Sequence, residues 1–168
     1  MNETASLFAI LGNFVEQPVA DAIERVVRDG SDRDLCRINA LAFAEKHGLD
    51  EEKTIAGFLH AASIGLFEIS WNVLCPGCGG VLDTNASLKT VIKEEYVCAL
   101  CAAGYTATLD ELVEVTFTVN PRVRRIAGHT PHELPTLEYL RQMYWGSGVE
   151  LPEDNYVEIM DEMVLDTL

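Results

Sequence analysis

Positive charge is scarce in this chain. Twelve Lys and Arg stand against 27 Asp and Glu, for a net charge of −15 at pH 7. A free-standing nucleic-acid binder draws much of its affinity from Lys and Arg on phosphates, so that class is disfavoured. Long apolar runs are also missing. None approaches the roughly 20 residues that a membrane-spanning helix needs. The N-terminal stretch MNETASLFAILGNFVEQP is apolar only from Leu7 to Leu11 and has no basic leader. It does not read as a signal peptide, and the expected location is cytoplasmic. Neither GxxxxGK[ST] nor GxGxxG occurs, which removes the common phosphate-cradling loops. No Ser/His/Asp or Cys/His set has supporting context. The chain therefore reads as non-catalytic.

What remains is a folding sequence. At 168 residues and 48% hydrophobic, it has enough apolar material for a core rather than disorder. Residues 1–65 read as helical. Pro18 suits the first turn of a helix that runs to Asp29 and stops at Gly30. Ser31 or Asp32 caps a second helix, with Leu35, Ile38, Leu41 and Ala42 at helical spacing and Gly48 as its stop. Asp50 caps a third, with Ile55, Phe58, Leu59, Ala62 and Leu66 on one stripe. After Gly65 the period changes to two. Phe67, Ile69, Trp71 and Val73 alternate with Glu68, Ser70 and Asn72, which predicts a half-buried strand. Two helices joined by the short turn His47-Gly48-Leu49 and followed by a strand give the order of a winged helix. The helix that would enter DNA begins Asp50-Glu51-Glu52, and three carboxylates there repel phosphate. A scaffold for protein contacts is the better reading.

Four of the five cysteines sit in CPGCGGVLDTNASLKTVIKEEYVCALC, as C-x2-C-x19-C-x2-C. Disulfides do not suit a chain without an export signal. A thioredoxin-like pair needs a CxxC that opens a helix in a βαβ unit, and neither pair has that setting. Paired CxxC knuckles match structural zinc, which takes four tetrahedral thiolates. Gly77, Gly79 and Gly80 let the first knuckle turn tightly. The expected ligands are Cys75, Cys78, Cys98 and Cys101, in a zinc ribbon with hairpin limbs at Val81-Leu82 and Leu88–Val97 and a return strand at Tyr105–Leu109. Four cysteines close the coordination shell, so the zinc is read as structural. Cys36, on an apolar helix face, reads as a small buried hydrophobe.

Val113, Val115, Phe117 and Val119 alternate with polar residues in a strand that Pro121 ends. Arg122, Arg124 and Arg125 then form the one basic cluster, a candidate grip for an anion or an acidic partner. The plainer reading pairs them with the chain's own carboxylates. His129 and His132 read as surface residues. Leu134–Trp145 predicts a short helix, followed by a tail with seven acidic residues and no basic one from Glu150 on.

The expected class is α+β: a winged-helix-like part (1–74), a zinc ribbon (75–110), then a strand, a short helix and the acidic tail (111–168). The stretches FLHAASIGLFEISWNVLCPGCGG and VEVTFTVNP, with YVCALCAAGY between them, resemble an uncharacterised bacterial domain found next to class III adenylate/guanylate cyclase catalytic domains, and also on its own. The resemblance implies metal binding at Cys75, Cys78, Cys98 and Cys101, and more β structure after the tail, so that this chain would be part of a longer protein. It implies a regulatory or protein-interaction module of a cyclase signalling protein. Its partner would be a protein or an attached cyclase domain, with self-association left open. A class III catalytic domain is itself about this long and needs two acidic residues on a βαββαβ scaffold, an order absent here. The alternative is a transcription factor that uses winged helix and ribbon on nucleic acid, which should show a basic face.

Overall fold

The computed structural model describes residues 3–87, 95–98, 102, 104–105 and 113–144. Its fold is mixed α+β. Four helices come first: α1 Glu3–Phe14, α2 Gln17–Asp29, α3 Ala40–His47 and α4 Glu51–Ser63. Strands follow as β1 Phe67–Leu74, β2 Val81–Asn85, β3 Tyr96–Val97, β4 Gly104–Tyr105 and β5 Val113–Val119. The short α5, Thr136–Tyr139, runs on into a π-helical turn at Leu140–Tyr144.

The expected caps act where backbone donors need them. Asp50 accepts from the Lys53 N–H at 2.9 Å, and Gly48 ends α3 at φ 64, a conformation that costs glycine little. The expected second helix, however, is broken. Arg33–Leu35 makes one 3₁₀ turn, Arg37 stands at φ 57, and Asn39 starts α3 by accepting from Leu41 and Ala42. Ile38 between them is extended and exchanges both backbone hydrogen bonds with Phe117, at 2.7 and 2.9 Å. That exchange satisfies two backbone groups at the far edge of β5 and outweighs the helical period of the side chains.

The main sheet has the order β2-β1-β5, all antiparallel, with the Ile38 bridge beyond β5. β1 and β5 pair from Phe67↔Val119 to Val73↔Val113, so the strands either side of the cysteine segment lie together. One core accordingly draws on both 1–74 and 111–168, which the sequence reading had set apart. Phe58 of α4 is its centre, fully buried, with the rings of Phe43, Phe67 and Phe117 at 5.0, 5.3 and 5.1 Å. Leu11, Ile23, Leu35, Leu66 and Val119 close around it. Each such burial contributes about 1.5–3 kcal/mol before chain entropy is counted. Gly57 lets α4 approach α2, since a Cβ there would lie 2.6 Å from Val19 Cγ1.

The opposite sheet face departs from the half-exposed expectation. Asn72 and Thr116 are fully buried there. The Arg37 guanidinium reaches Asn72 Oδ1 at 2.6 Å and Thr84 Oγ1 at 2.9 Å, and donates to the Met143 carbonyl. Asn72 in turn donates to Thr116 Oγ1 at 2.8 Å. The π-helical turn supplies Met143, which is why this polar face does not meet water.

Candidate metal centre

β1 delivers its last residues into the first knuckle. Cys75, one residue past β1, is buried, and its N–H donates to the Gly80 carbonyl at 2.7 Å. The Gly79 N–H donates back to the Cys75 carbonyl at 2.8 Å, with Gly79 at φ 70. The chain thus reverses around the sulfurs. The second knuckle repeats the turn: the Ala102 N–H donates to the Cys98 carbonyl at 2.9 Å, with Ala102 at φ 52. The strand pair β3–β4 brackets this turn, with Tyr96 opposite Tyr105 and Val97 opposite Gly104.

The sulfurs of Cys75, Cys78 and Cys98 all lie within 4.8 Å of one another. Cys78 Sγ and Cys98 Sγ are 3.8 Å apart. Four thiolates placed tetrahedrally at about 2.3 Å from a metal would be about 3.8 Å from each other, so this spacing fits a shared ion. Cys101 lies outside the described residues, as do the expected hairpin limb at 88–94, the return strand beyond Tyr105 and the acidic tail. A small apolar cluster supports the site from below. Val73 and Tyr96 are buried there against Trp71, Leu82 and Val113. The cluster joins the second knuckle to β1, β2 and β5.

The other sequence candidates are not gathered into a site. Arg124 turns to the end of α2, donating to the Val27 carbonyl at 2.9 Å and lying 3.8 Å from Asp32. Arg122 and Arg125 are exposed. His129 is a half-buried strut, with both ring nitrogens engaged, rather than a free surface residue. Its Nδ1 accepts from the Ile126 N–H at 3.1 Å and its Nε2 bonds the Val119 carbonyl at 2.7 Å. Cys36 sits apart, buried beneath the π-helical turn, and burial pushes its thiol up to about 11. Burial likewise pulls the Arg37 guanidinium below its ordinary value, against the opposing pull of Cys36, Glu114 and Tyr139.

The Arg37 network was missed from sequence, although its signal was present: one arginine inside the apolar run LCRINALAF. No helix among the described residues is long and apolar enough to cross a membrane. Fold and cluster together define a mixed α+β protein with a cysteine cluster able to hold a metal ion. The chain belongs to a family of unknown function, DUF5939, whose model matches residues 1–168. No curated protein and no solved structure gives a match.

Proposed function

We propose that this chain is a non-catalytic, zinc-stapled winged-helix module that regulates or docks a protein partner. The observation that carries the reading is the join between β1 and the first knuckle. The strand that packs Phe67 into the helical core ends at the buried ligand candidate Cys75. A metal there would lock the helical body and the cysteine segment into one unit that can pass on a signal.

The winged-helix assignment is supported by connectivity. α2, the Ile38 bridge, α3, α4, β1 and β5 follow in chain order, and the bridge lies beside β5, which lies beside β1. In this reading the cysteine segment is an insertion into the wing. Zinc as the metal, and Cys101 as its fourth ligand, are supported by the repeated knuckle turn at Gly79 and Ala102 and by the all-thiolate donor set. Acidic residues at the start of α4 favour protein contacts over nucleic acid.

The resemblance to domains beside class III cyclases names the setting for a test. In a protein that carries this chain next to a cyclase domain, deleting residues 1–168 or stripping the zinc should change cyclase turnover or its response to a signal. Unchanged turnover and unchanged response after both would overturn the regulatory reading. The chain alone, given ATP or GTP with magnesium or manganese, should form no cyclic nucleotide.

A further inference from the structure

α4 buries Thr54, Gly57, Phe58 and Ala61 and turns a second, apolar face outward. Leu59 is 47% exposed and Ile55 37%, and Leu41 of α3 beside them is 49% exposed. These three large side chains are not scattered. With Ile69, Trp71 and Val115 of the sheet they line one open groove of about 590 Å³. It forms where the two helices stop covering the sheet: Phe58 covers Phe67 and Phe117, and the next residues along β1 and β5 continue past it. An open groove of this volume and apolar lining suits the apolar stripe of a helix.

Charge says which helix. Glu51 and Glu52 are exposed on α4, one turn before Ile55 and two before Leu59, and at 3.6 residues per turn they flank the same outward arc. On the sheet side Glu114 of β5 borders the groove, and its carboxylate accepts from the Asn39 amide at 2.8 Å. Among the described residues no Lys or Arg lines it. The nearest lysine on α4, Lys53, is turned to Glu16 at 2.8 Å. The chain's own tail has apolar residues, but seven carboxylates and no cation from Glu150 onward set it against this rim.

We infer that the groove between α4 and the β1–β5 face is a docking site for a basic amphipathic helix of a partner protein. Apolar side chains at one face of that helix would enter over Trp71 and Leu59, and flanking Lys or Arg would meet Glu51 and Glu52. This deepens the proposed interaction role by naming the partner's chemistry.

The test uses the full chain and two labelled synthetic helices with the same leucine stripe, one flanked by lysines and one by glutamates. At an ionic strength of about 0.15 M, fluorescence anisotropy should show the lysine helix binding with a Kd on the order of 10 μM and the glutamate helix not binding. Leu59→Glu should weaken binding at least about tenfold, and so should Glu51→Lys combined with Glu52→Lys. All three side chains changed in these variants are exposed, and circular dichroism checks that each variant folds. Failure of the lysine helix to bind, equal binding of both helices, or binding indifferent to Leu59→Glu would overturn the proposal. A dimer of the unliganded chain that Leu59→Glu dissolves would assign the groove to a second copy instead. Loss of hydrogen-exchange protection in residues 155–166 on the same substitution would assign it to the tail. If peptide binding fails while zinc removal still alters an attached cyclase, only the groove is lost. The reverse result leaves the groove and removes the regulatory role.

Discussion

Gly79 and Ala102 hold the same backbone conformation for the same purpose. Each is left-handed, at φ 70 and 52, and each donates its N–H to the carbonyl of the cysteine four positions earlier, at 2.8 and 2.9 Å. Only one of them is a glycine. An L-residue in this region costs about 1–2 kcal/mol, so Gly79→Ala should lower stability by about 1 kcal/mol, whereas Ala102→Gly should not lower it. Thermal melts of both variants in metal-replete protein check the asymmetry.

The metal itself is the second prediction. Purified under reducing conditions, the chain should carry about one zinc, and Cys98→Ser should lose most of it. Elemental analysis measures the stoichiometry. Because metal binding free energy is folding free energy at such a site, chelation should also lower the melting temperature. A metal content near zero in unoxidised protein would contradict this.

Arg37→Ala should be costly. It removes the donor to Asn72, Thr84 and the Met143 carbonyl and leaves buried acceptors unmatched. The expected loss is on the order of 3 kcal/mol by urea denaturation. Arg37→Lys should recover little of it, because one ammonium cannot present the same planar fork.

Arg124→Ala should cost about 1 kcal/mol, since its guanidinium closes the carbonyl end of α2. Arg122→Ala and Arg125→Ala should each stay within about 0.5 kcal/mol, as exposed side chains do. An equal loss from all three would restore the reading of one anion site.

Alkaline pH provides a separate check on Cys36. Its thiol is raised from 9.0 to about 11 in the folded chain, chiefly by burial. The unfolded chain therefore releases this proton first. The contribution to stability is whole below about pH 9 and is lost progressively as pH rises towards 11. Cys36→Val should flatten that part of the stability profile relative to the parent. Alkylation of Cys36 at pH 8 should be far slower in folded than in unfolded protein.

The sequence was most informative where local chemistry decides. Asp50 and Gly48 bound the helices where their cap and left-handed roles required, and the cysteine spacing anticipated a cluster that now brings Cys75, Cys78 and Cys98 together. It was least informative where distant segments decide. Ile38 has helical spacing with Leu35 and Leu41, yet it is extended because Phe117, far along the chain, offers it two hydrogen bonds. Asn72 alternates like a surface residue, yet the turn around Met143 covers it. The exposed faces of Ile55 and Leu59 belong to a stripe that read as core, because periodicity identifies an apolar stripe without saying which part finds a neighbour. Arg124 was read with its neighbours as one cluster, and only the end of α2 separates it from them.

The pairing of β1 with β5 also sets a timetable. Val73 and Val113 are register partners, yet roughly forty residues of chain lie between them. Phe117 and Val119 belong to the helical core, so that core stays incomplete until the whole cysteine segment has been synthesised and its ends have met. An ion that bridges Cys75 and Cys98 shortens the open loop by more than half. The chain entropy of closure falls with it by roughly 1 kcal/mol. Metal captured early would therefore act as a folding catalyst as well as a staple, and stopped-flow refolding should run several-fold faster with zinc than with chelator.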